Sequence, residues 1–204
     1  MASLYFKYAA MNSGKSTQLL QAHYNYIERG MNPVAMTAQL DNRFGEGKIT
    51  ARIGLDLPAH TFGKTTDIFE FIRLMHGEKP VAALLIDEAQ FLSGEQVFQC
   101  ARIVDDLDIP VIAYGLKTDF LGELFAGSAA LLRLADNLEE IKTICWCGRK
   151  ATQTARIEPD GTVARAGAQI AIGGNSLYTS LCRKHFISGE AKALAAPEKI
   201  RSVA

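Results

Sequence analysis

Ala9-Ala10-Met11-Asn12-Ser13-Gly14-Lys15-Ser16, followed at once by Thr17, is the stretch from which the rest of the chain is read. Before it lies a short apolar strand candidate, Leu4-Tyr5-Phe6-Lys7-Tyr8, and after it a helix candidate beginning near Ser16. Strand, tight loop, Gly-Lys-Ser and helix form the geometry that holds nucleotide phosphates. Inward-pointing backbone N–H groups and the helix N-terminus supply partial positive charge, and Lys15 supplies a full one. Ala9 stands where the pattern G-x-x-x-x-G-K-[ST] has its first glycine.

The helix candidate after this loop carries Leu19, Leu20, His23, Tyr24 and Ile27 at helical spacing, with His23 expected in the core and Gly30 as a C-terminal cap. Val34–Ala38 reads as a second strand, and Leu40–Pro58, polar and punctuated by glycine, as a long loop. Such loops are uncommon unless functional or disordered. An amphipathic helix is expected over Thr65–His76, and the continuous apolar run Val81–Ile86 reads as a strand buried on both faces of a parallel sheet. Ser93 with Gln96 makes a capping box for the next helix, in which Cys100 is core filler. Ile109–Leu116 reads as a further strand, Leu116–Phe125 as a glycine-bearing loop and Gly127–Leu138 as a helix.

Strands alternating with helices argue an α/β fold, a parallel sheet with helices on both faces. Sites gather at the C-terminal ends of such strands, so Ala9–Thr17, Asp87–Phe91 and Leu116–Phe125 are expected to converge. Asp87, at the end of the buried run, is placed to hold Mg²⁺ together with the Ser16 hydroxyl. Glu88 beside it is the candidate proton acceptor for phosphoryl transfer, although an ATPase would use a glutamate here to orient water.

From Ile144 the alternation stops, and Glu158-Pro159-Asp160-Gly161 is a turn between two extended stretches. Three cysteines and a histidine, Cys145, Cys147, Cys182 and His185, make a closed set for a structural zinc. The first pair is one residue tighter than the usual C-x₂-C, and the stretch between Cys147 and Cys182, long for a finger, contains an extended apolar strand that ends in Gly173-Gly174 before Tyr178. Residues 1–142 therefore read as a P-loop (RecA-like) α/β nucleotide-binding domain, 143–190 as a small zinc-ribbon-like domain, and 191–204 as a flexible tail.

Lys plus Arg equals Asp plus Glu, 22 against 22, which argues against a nucleic-acid or membrane surface. The longest apolar run is far short of a membrane span, and Met1-Ala2-Ser3-Leu4 is no signal peptide, so a cytoplasmic protein is expected. In a reducing compartment the cysteines point to thiols or metal rather than disulfides.

Taken together, the motifs resemble the thymidine kinase family, the tetrameric zinc-containing class in its shorter bacterial form. Met11–Ser16, Asp87–Phe91, Tyr114–Phe120, Ile172-Gly173-Gly174-Asn175 and Cys182–His185 carry the resemblance, which spans Leu4 to about Phe186. It implies ATP-dependent phosphorylation of the 5′-hydroxyl of thymidine or deoxyuridine with Mg²⁺, as in pyrimidine salvage. By that resemblance Glu88 is the general base, and Ala9–Ser16 with Asp87, Glu88, Ala89 and Gln90 bind ATP and its phosphates. Met11, Phe91, Leu116, Phe120 and Phe125 form an apolar slot for the base, and Thr154, Ala171, Ile172 and Tyr178 belong to a lasso-like loop that holds the pyrimidine largely through main-chain hydrogen bonds. Asp41 and Arg43 match an acidic-x-basic pair near the phosphates. A homotetramer and feedback inhibition by thymidine triphosphate are implied as well. Ala9 and the tight Cys145-x-Cys147 depart from the family pattern, and Ala171 is smaller than the Val often found there. Rival readings are another P-loop small-molecule kinase, a simple ATPase or motor, and a nucleotide-switched binding module whose zinc ribbon grips nucleic acid.

Overall fold

The computed structural model describes residues 1–41, 45, 47–169 and 177–192. Its centre is a six-stranded, wholly parallel sheet of β1 (Leu4–Ala9), β2 (Pro33–Ala38), β5 (His60–Phe62), β6 (Ala83–Ile86), β7 (Val111–Leu116) and β8 (Asn137–Glu140). Their spatial order is β5-β2-β6-β7-β1-β8, so β7 stands between the strand that ends in the phosphate loop and the strand that ends in Asp87. Parallel pairing turns all three C-terminal ends to the same edge of the sheet.

Every residue of β2 and of β6 is buried, as a strand covered on both faces requires. Side-chain alternation divides them between two cores. Val34, Met36, Leu84 and Ile86 join Ile68 and Ile72 of α2 (Ile68–Glu78), Val97 and Ile103 of α3 (Gly94–Leu107), and Leu131 of α4 (Ala126–Leu134). Ala35 and Leu85 face the other way, against Leu19 and Leu20 of α1 (Lys15–Glu28) and Ile49. The Ser93–Gln96 capping box opens α3, and Cys100 is fully buried within it, its thiol pKa pushed up to about 12 by that burial.

Three expectations need correction. The helix read over Gly127–Leu138 stops at Leu134, and Asn137–Glu140 is the edge strand β8. Its Asn-Leu-Glu-Glu sequence carries no strand signal, because pairing with β1 creates the strand and the charges face outward as edges favour. Asp136 fixes the junction by accepting a 2.7 Å hydrogen bond from Leu4 N–H. Within Leu40–Pro58 lies a hairpin of β3 (Lys48–Thr50) and β4 (Asp56–Pro58), followed by β5 on the far sheet edge. On α1 only Leu19 and Leu20 are buried; His23 is half-buried and Tyr24 and Ile27 are exposed.

Residues beyond the sheet form short elements about a third, small core of Cys145, Ala151, Ala155, Val163, Leu181 and Cys182. They are the two-residue pair β9 (Thr143–Ile144) and β10 (Lys150–Ala151), the pair β11 (Gln153–Arg156) and β12 (Tyr178–Leu181), and α5 (Arg183–Ser188). The expected turn is present: Gly161 N–H donates to Glu158 O at 2.9 Å, between Ile157 and Val163 paired across it.

Candidate functional site

The loop after β1 turns through two left-handed residues, Asn12 with φ 62° and Gly14 with φ 83°. Gly14 is required there by backbone conformation rather than by space, since nothing lies within 4 Å of where its Cβ would stand. This path delivers Lys15 and Ser16 to the first turn of α1. Lys15 Nζ donates to Ala10 O at 3.3 Å, folding the side chain back over the loop.

Across the sheet edge, Ser16 Oγ donates to Asp87 Oδ2 at 2.8 Å, and Glu88 N–H donates to Asp87 Oδ1 at 3.0 Å. Asp87 is buried, and burial together with the neighbouring Glu88 charge raises its pKa to about 7, against the opposing pull of Ser16 and Lys15. Glu88 itself sits at φ 53°, a left-handed conformation that costs a non-glycine residue on the order of 1–2 kcal/mol. Gln90 compensates for part of this. Its amide donates to Glu88 Oε2 at 2.5 Å while its carbonyl accepts from Leu116 N–H at 3.0 Å, bracing Glu88 against the end of β7.

These groups border a cavity of about 270 Å³. Met11–Thr17, Asp41, Asp87 and Glu88 line it, and so do Thr37, Lys48, Thr50 and Arg52, which sequence reasoning did not single out. The last three come from the β3–β4 hairpin and its turn, where the consecutive run Lys48–Ile53 borders the cavity. Ala9, Ala10, Ala89 and Gln90 are buried behind the cavity wall rather than lining it. Arg43 lies outside the described residues. Two buried hydroxyls on the wall, Ser13 Oγ and Thr50 Oγ1, have no protein partner, and such groups cost about 1–3 kcal/mol unless a ligand oxygen satisfies them. Cationic, N–H-rich and hydroxyl-bearing walls fit a polyphosphate with its divalent cation.

Beside the cavity the ends of β6 and β7 assemble an apolar wall. Phe91 and Phe125 meet edge to face, 5.9 Å between centroids, and Leu116 and Phe120 are buried in the same region. Met11 links wall to loop: its N–H donates to Thr154 Oγ1 at 3.1 Å, and its carbonyl accepts from Ser180 Oγ. Asn12 Nδ2 donates to Tyr178 O at 3.5 Å, and Asn12 O accepts from Thr143 Oγ1 at 3.4 Å. The predicted residues Met11, Thr154 and Tyr178 are thus brought together, whereas Ala171 and Ile172 lie outside the described residues.

Cys145, Cys147, Cys182 and His185 converge, their ligand atoms all within 4.8 Å of one another. His185 Nδ1 lies 3.4 Å from Cys145 Sγ and 3.6 Å from Cys182 Sγ, and Cys147 Sγ lies 4.0 Å from Cys182 Sγ. A tetrahedron with metal–sulfur bonds of about 2.3 Å and metal–nitrogen bonds of about 2.0 Å has edges of about 3.5–3.8 Å, so the set fits one tetrahedral ion. The tight Cys145-x-Cys147 spacing works because Gly148, at φ 80°, closes a turn in which its N–H donates to Cys145 O. Hydrogen bonding from the His185 backbone lowers the Cys182 thiol pKa, which favours the thiolate a metal needs, while burial raises that of Cys145. Trp146 stacks on His185 at 4.2 Å and fixes the ring.

A family model described as thymidine kinase matches residues 2–186. The chain is 56% identical over 186 residues to a thymidine kinase of Shewanella oneidensis, covering 91% of this chain and 97% of that protein. Its identity is 55% to the thymidine kinase of Vibrio cholerae, at the same coverages, and 57% to that of Ruegeria pomeroyi, over 91% of this chain and 94% of that one. A solved Pif1 helicase from Candida albicans is 21% identical and covers 70% of this chain and 36% of that chain, with a TM-score of 0.38.

Asp87 generates a pH prediction. With its folded pKa raised to about 7 from an ordinary 3.8, its contribution favours the fold below about pH 4 and is lost as pH rises through 7. Without divalent cation, stability should fall over that window by at most on the order of 4 kcal/mol from this group. Thermal melts of wild type and Asp87→Asn from about pH 4 to 8 check it. Without Mg²⁺ the two curves should lie closest near pH 4, where Asp87 is neutral like asparagine, and separate as pH rises through 7 with wild type losing stability; a difference between them that is constant with pH would contradict the assignment.

Proposed function

Because the chain belongs to the thymidine kinase family, we propose that its cavity and apolar wall together transfer the γ-phosphoryl group of ATP to the 5′-hydroxyl of thymidine, and to deoxyuridine, in pyrimidine salvage. The observation that carries this reading is the double use of one loop. Lys15, Ser16 and the loop N–H groups face the phosphate cavity, while Met11 reaches across to Thr154 and Ser180 beside the aromatic wall. Donor phosphates and acceptor nucleoside would then meet at Glu88.

In this reading Ser16 and Asp87 would hold Mg²⁺, which would supply charge neutralisation to the phosphates. A bound cation also favours the Asp87 carboxylate over the protonated form that burial promotes. Lys15 stabilises the transferring group, and backbone N–H groups of Asn12–Gly14 orient the remaining oxygens. Glu88, braced by Gln90, accepts the proton of the 5′-hydroxyl as its oxygen bonds to the γ-phosphorus and the bond to the leaving diphosphate breaks. Phe91, Leu116, Phe120 and Phe125 enclose the base, and the stretch through Ala171 and Ile172 to Tyr178 supplies its main-chain hydrogen bonds. Asp41, with Arg43, flanks the phosphates.

The four-atom cluster is proposed to hold structural zinc, since its donors fill the shell and leave no open position. Residues 1–142 and 143–190 are proposed as separate domains, with 191–204 as a tail. A homotetramer, inhibition by thymidine triphosphate and a cytoplasmic location without nucleic-acid or membrane partners belong to the same family-based reading. No helix among the described residues is long and apolar enough to cross a membrane. Sedimentation showing a monomer, or full activity in saturating thymidine triphosphate, would remove the first two of these features.

Glu88→Gln keeps the size of the side chain and its contact with Gln90 while removing the base. Transfer of labelled phosphate from ATP to thymidine should fall on the order of 10²–10⁴-fold in kcat with little change in KM. Equal rates for variant and wild type would remove Glu88 from the reaction. For the metal, elemental analysis should find one zinc per chain, and Cys182→Ser should lower both zinc content and thermal stability. A zinc-free wild type that remains folded and active would contradict the proposed ligand set.

A further inference from the structure

Arg156 takes no part in the reaction just described, yet several elements of the acceptor side converge on it. Its backbone lies at the end of β11, paired with Tyr178 of β12. Ala164 N–H donates to Arg156 O at 2.8 Å, and the next residue, Ile157, donates to Leu177 O at 2.7 Å. The main chain of Arg156 therefore sits between the root where the lasso leaves the small module and the root where it returns.

The guanidinium continues the pattern. It lies flat over Phe120, 4.0 Å from the ring centroid, and Nη2 donates to Ala166 O at 2.8 Å and Nη1 to Ala168 O at 3.5 Å. Between those carbonyls stands Gly167 at φ 125°, so close that a Cβ would lie 2.5 Å from Nη2. Glu158 balances the charge at 3.6 Å. One residue further on, Gln169 Nε2 donates to Asp119 Oδ2 at 2.9 Å, and Asp119 precedes Phe120 in the loop after β7. One planar cation thus ties the entry of the lasso to an aromatic ring of the base slot.

We propose that Arg156 is a positioning residue for the nucleoside: it seats residues 166–168 against Phe120 and thereby fixes that ring at the edge of the base slot. The proposal rests on the thymidine kinase reading and deepens it. The guanidinium suits this work because one face can stack on a ring while its edge donates to two carbonyls, which a lysine ammonium cannot do together. Without it, residues 166–168 and the Phe120 ring would have to be held in place at the moment of binding, a cost that falls on acceptor affinity. Ground state and transition state both need the seated ring, so the loss appears in KM rather than kcat. The phosphate cavity is lined from other elements, so the donor should not feel the change.

Steady-state kinetics on the full-length, zinc-replete enzyme, with thymidine and ATP each varied, separates these effects. Arg156→Met should raise the KM for thymidine about 10- to 100-fold, as expected for losing a stacked, charge-assisted hydrogen-bonding group. Its kcat should stay within about threefold, and its KM for ATP, zinc content and melting temperature should match wild type. Arg156→Lys should recover only part of the loss. Gly167→Ala, which displaces the guanidinium without removing it, should raise the thymidine KM in the same selective way and serves if Arg156→Met does not fold. An unchanged thymidine KM in Arg156→Met or Gly167→Ala, full recovery by Arg156→Lys, or parallel losses for both substrates together with zinc would overturn the role. Wild type that fails to phosphorylate thymidine overturns the kinase reading and this proposal with it; active wild type with unaffected variants overturns the Arg156 role alone.

Discussion

The relation between the two halves of the molecule depends on hydrogen bonds made by two consecutive residues, Met11 and Asn12. A loop that wraps phosphate turns most of its backbone donors inward, so few groups remain to bind anything else. Here Met11 N–H is committed to Thr154, Met11 O to Ser180, Asn12 O to Thr143 and the Asn12 side chain to Tyr178 O. Each such bond contributes about 1 kcal/mol net, but breaking one partner of a buried pair costs more. The phosphate loop and the small module are therefore coupled: moving one strains the other. Because the core around Cys145 and Cys182 is small, a metal held by the Cys/His set would supply much of its rigidity, and the loop would inherit that rigidity through Thr154 and Ser180.

Charge is handled in the same place with equal economy. Asp87 and Glu88 are adjacent in sequence, yet their environments differ. Asp87 is buried at the end of a central strand, hydrogen-bonded by Ser16, while Glu88 is turned out through a left-handed backbone and held by Gln90. A carboxylate that is costly in the dry state and relieved by a cation suits metal holding. A carboxylate held at fixed position by a neutral amide suits proton acceptance. The close packing that makes this possible shows at Gly127 of α4, where a Cβ would lie 2.7–2.8 Å from the carbonyl oxygens of Ala89, Gln90 and Leu92.

Much of this arrangement could be read from the chain, because its strongest signals are local. The phosphate loop, the apolar run before Asp87, the Ser93–Gln96 capping box and the Cys/His set each declare themselves within a few residues or by donor chemistry alone. What escaped reading depends on partners distant in sequence. Asn137–Glu140 becomes a strand only because β1 offers it an edge, and β5 exists only beside β2. Lys48, Thr50 and Arg52 reach the cavity through a hairpin whose strands are three residues each, too short for a periodic signal. Gln90 reads as one more residue of a phosphate-binding word, but its amide spans Glu88 and Leu116 instead. Arg156 is one arginine between Ala155 and Ile157 until Phe120 and Ala166 are seen against it.

A structure of the ternary complex with thymidine, Mg²⁺ and a non-hydrolysable ATP analogue tests the central claim most directly. The account places the triphosphate over Gly14–Ser16, the base against Phe91 and Phe125, and the 5′-oxygen within about 2.6–3.2 Å of the Glu88 carboxylate, in line with the γ-phosphorus. Met11 should lie beside both ligands. Thymidine bound away from the aromatic wall, or a Glu88 side chain directed away from the 5′-oxygen, would contradict the account.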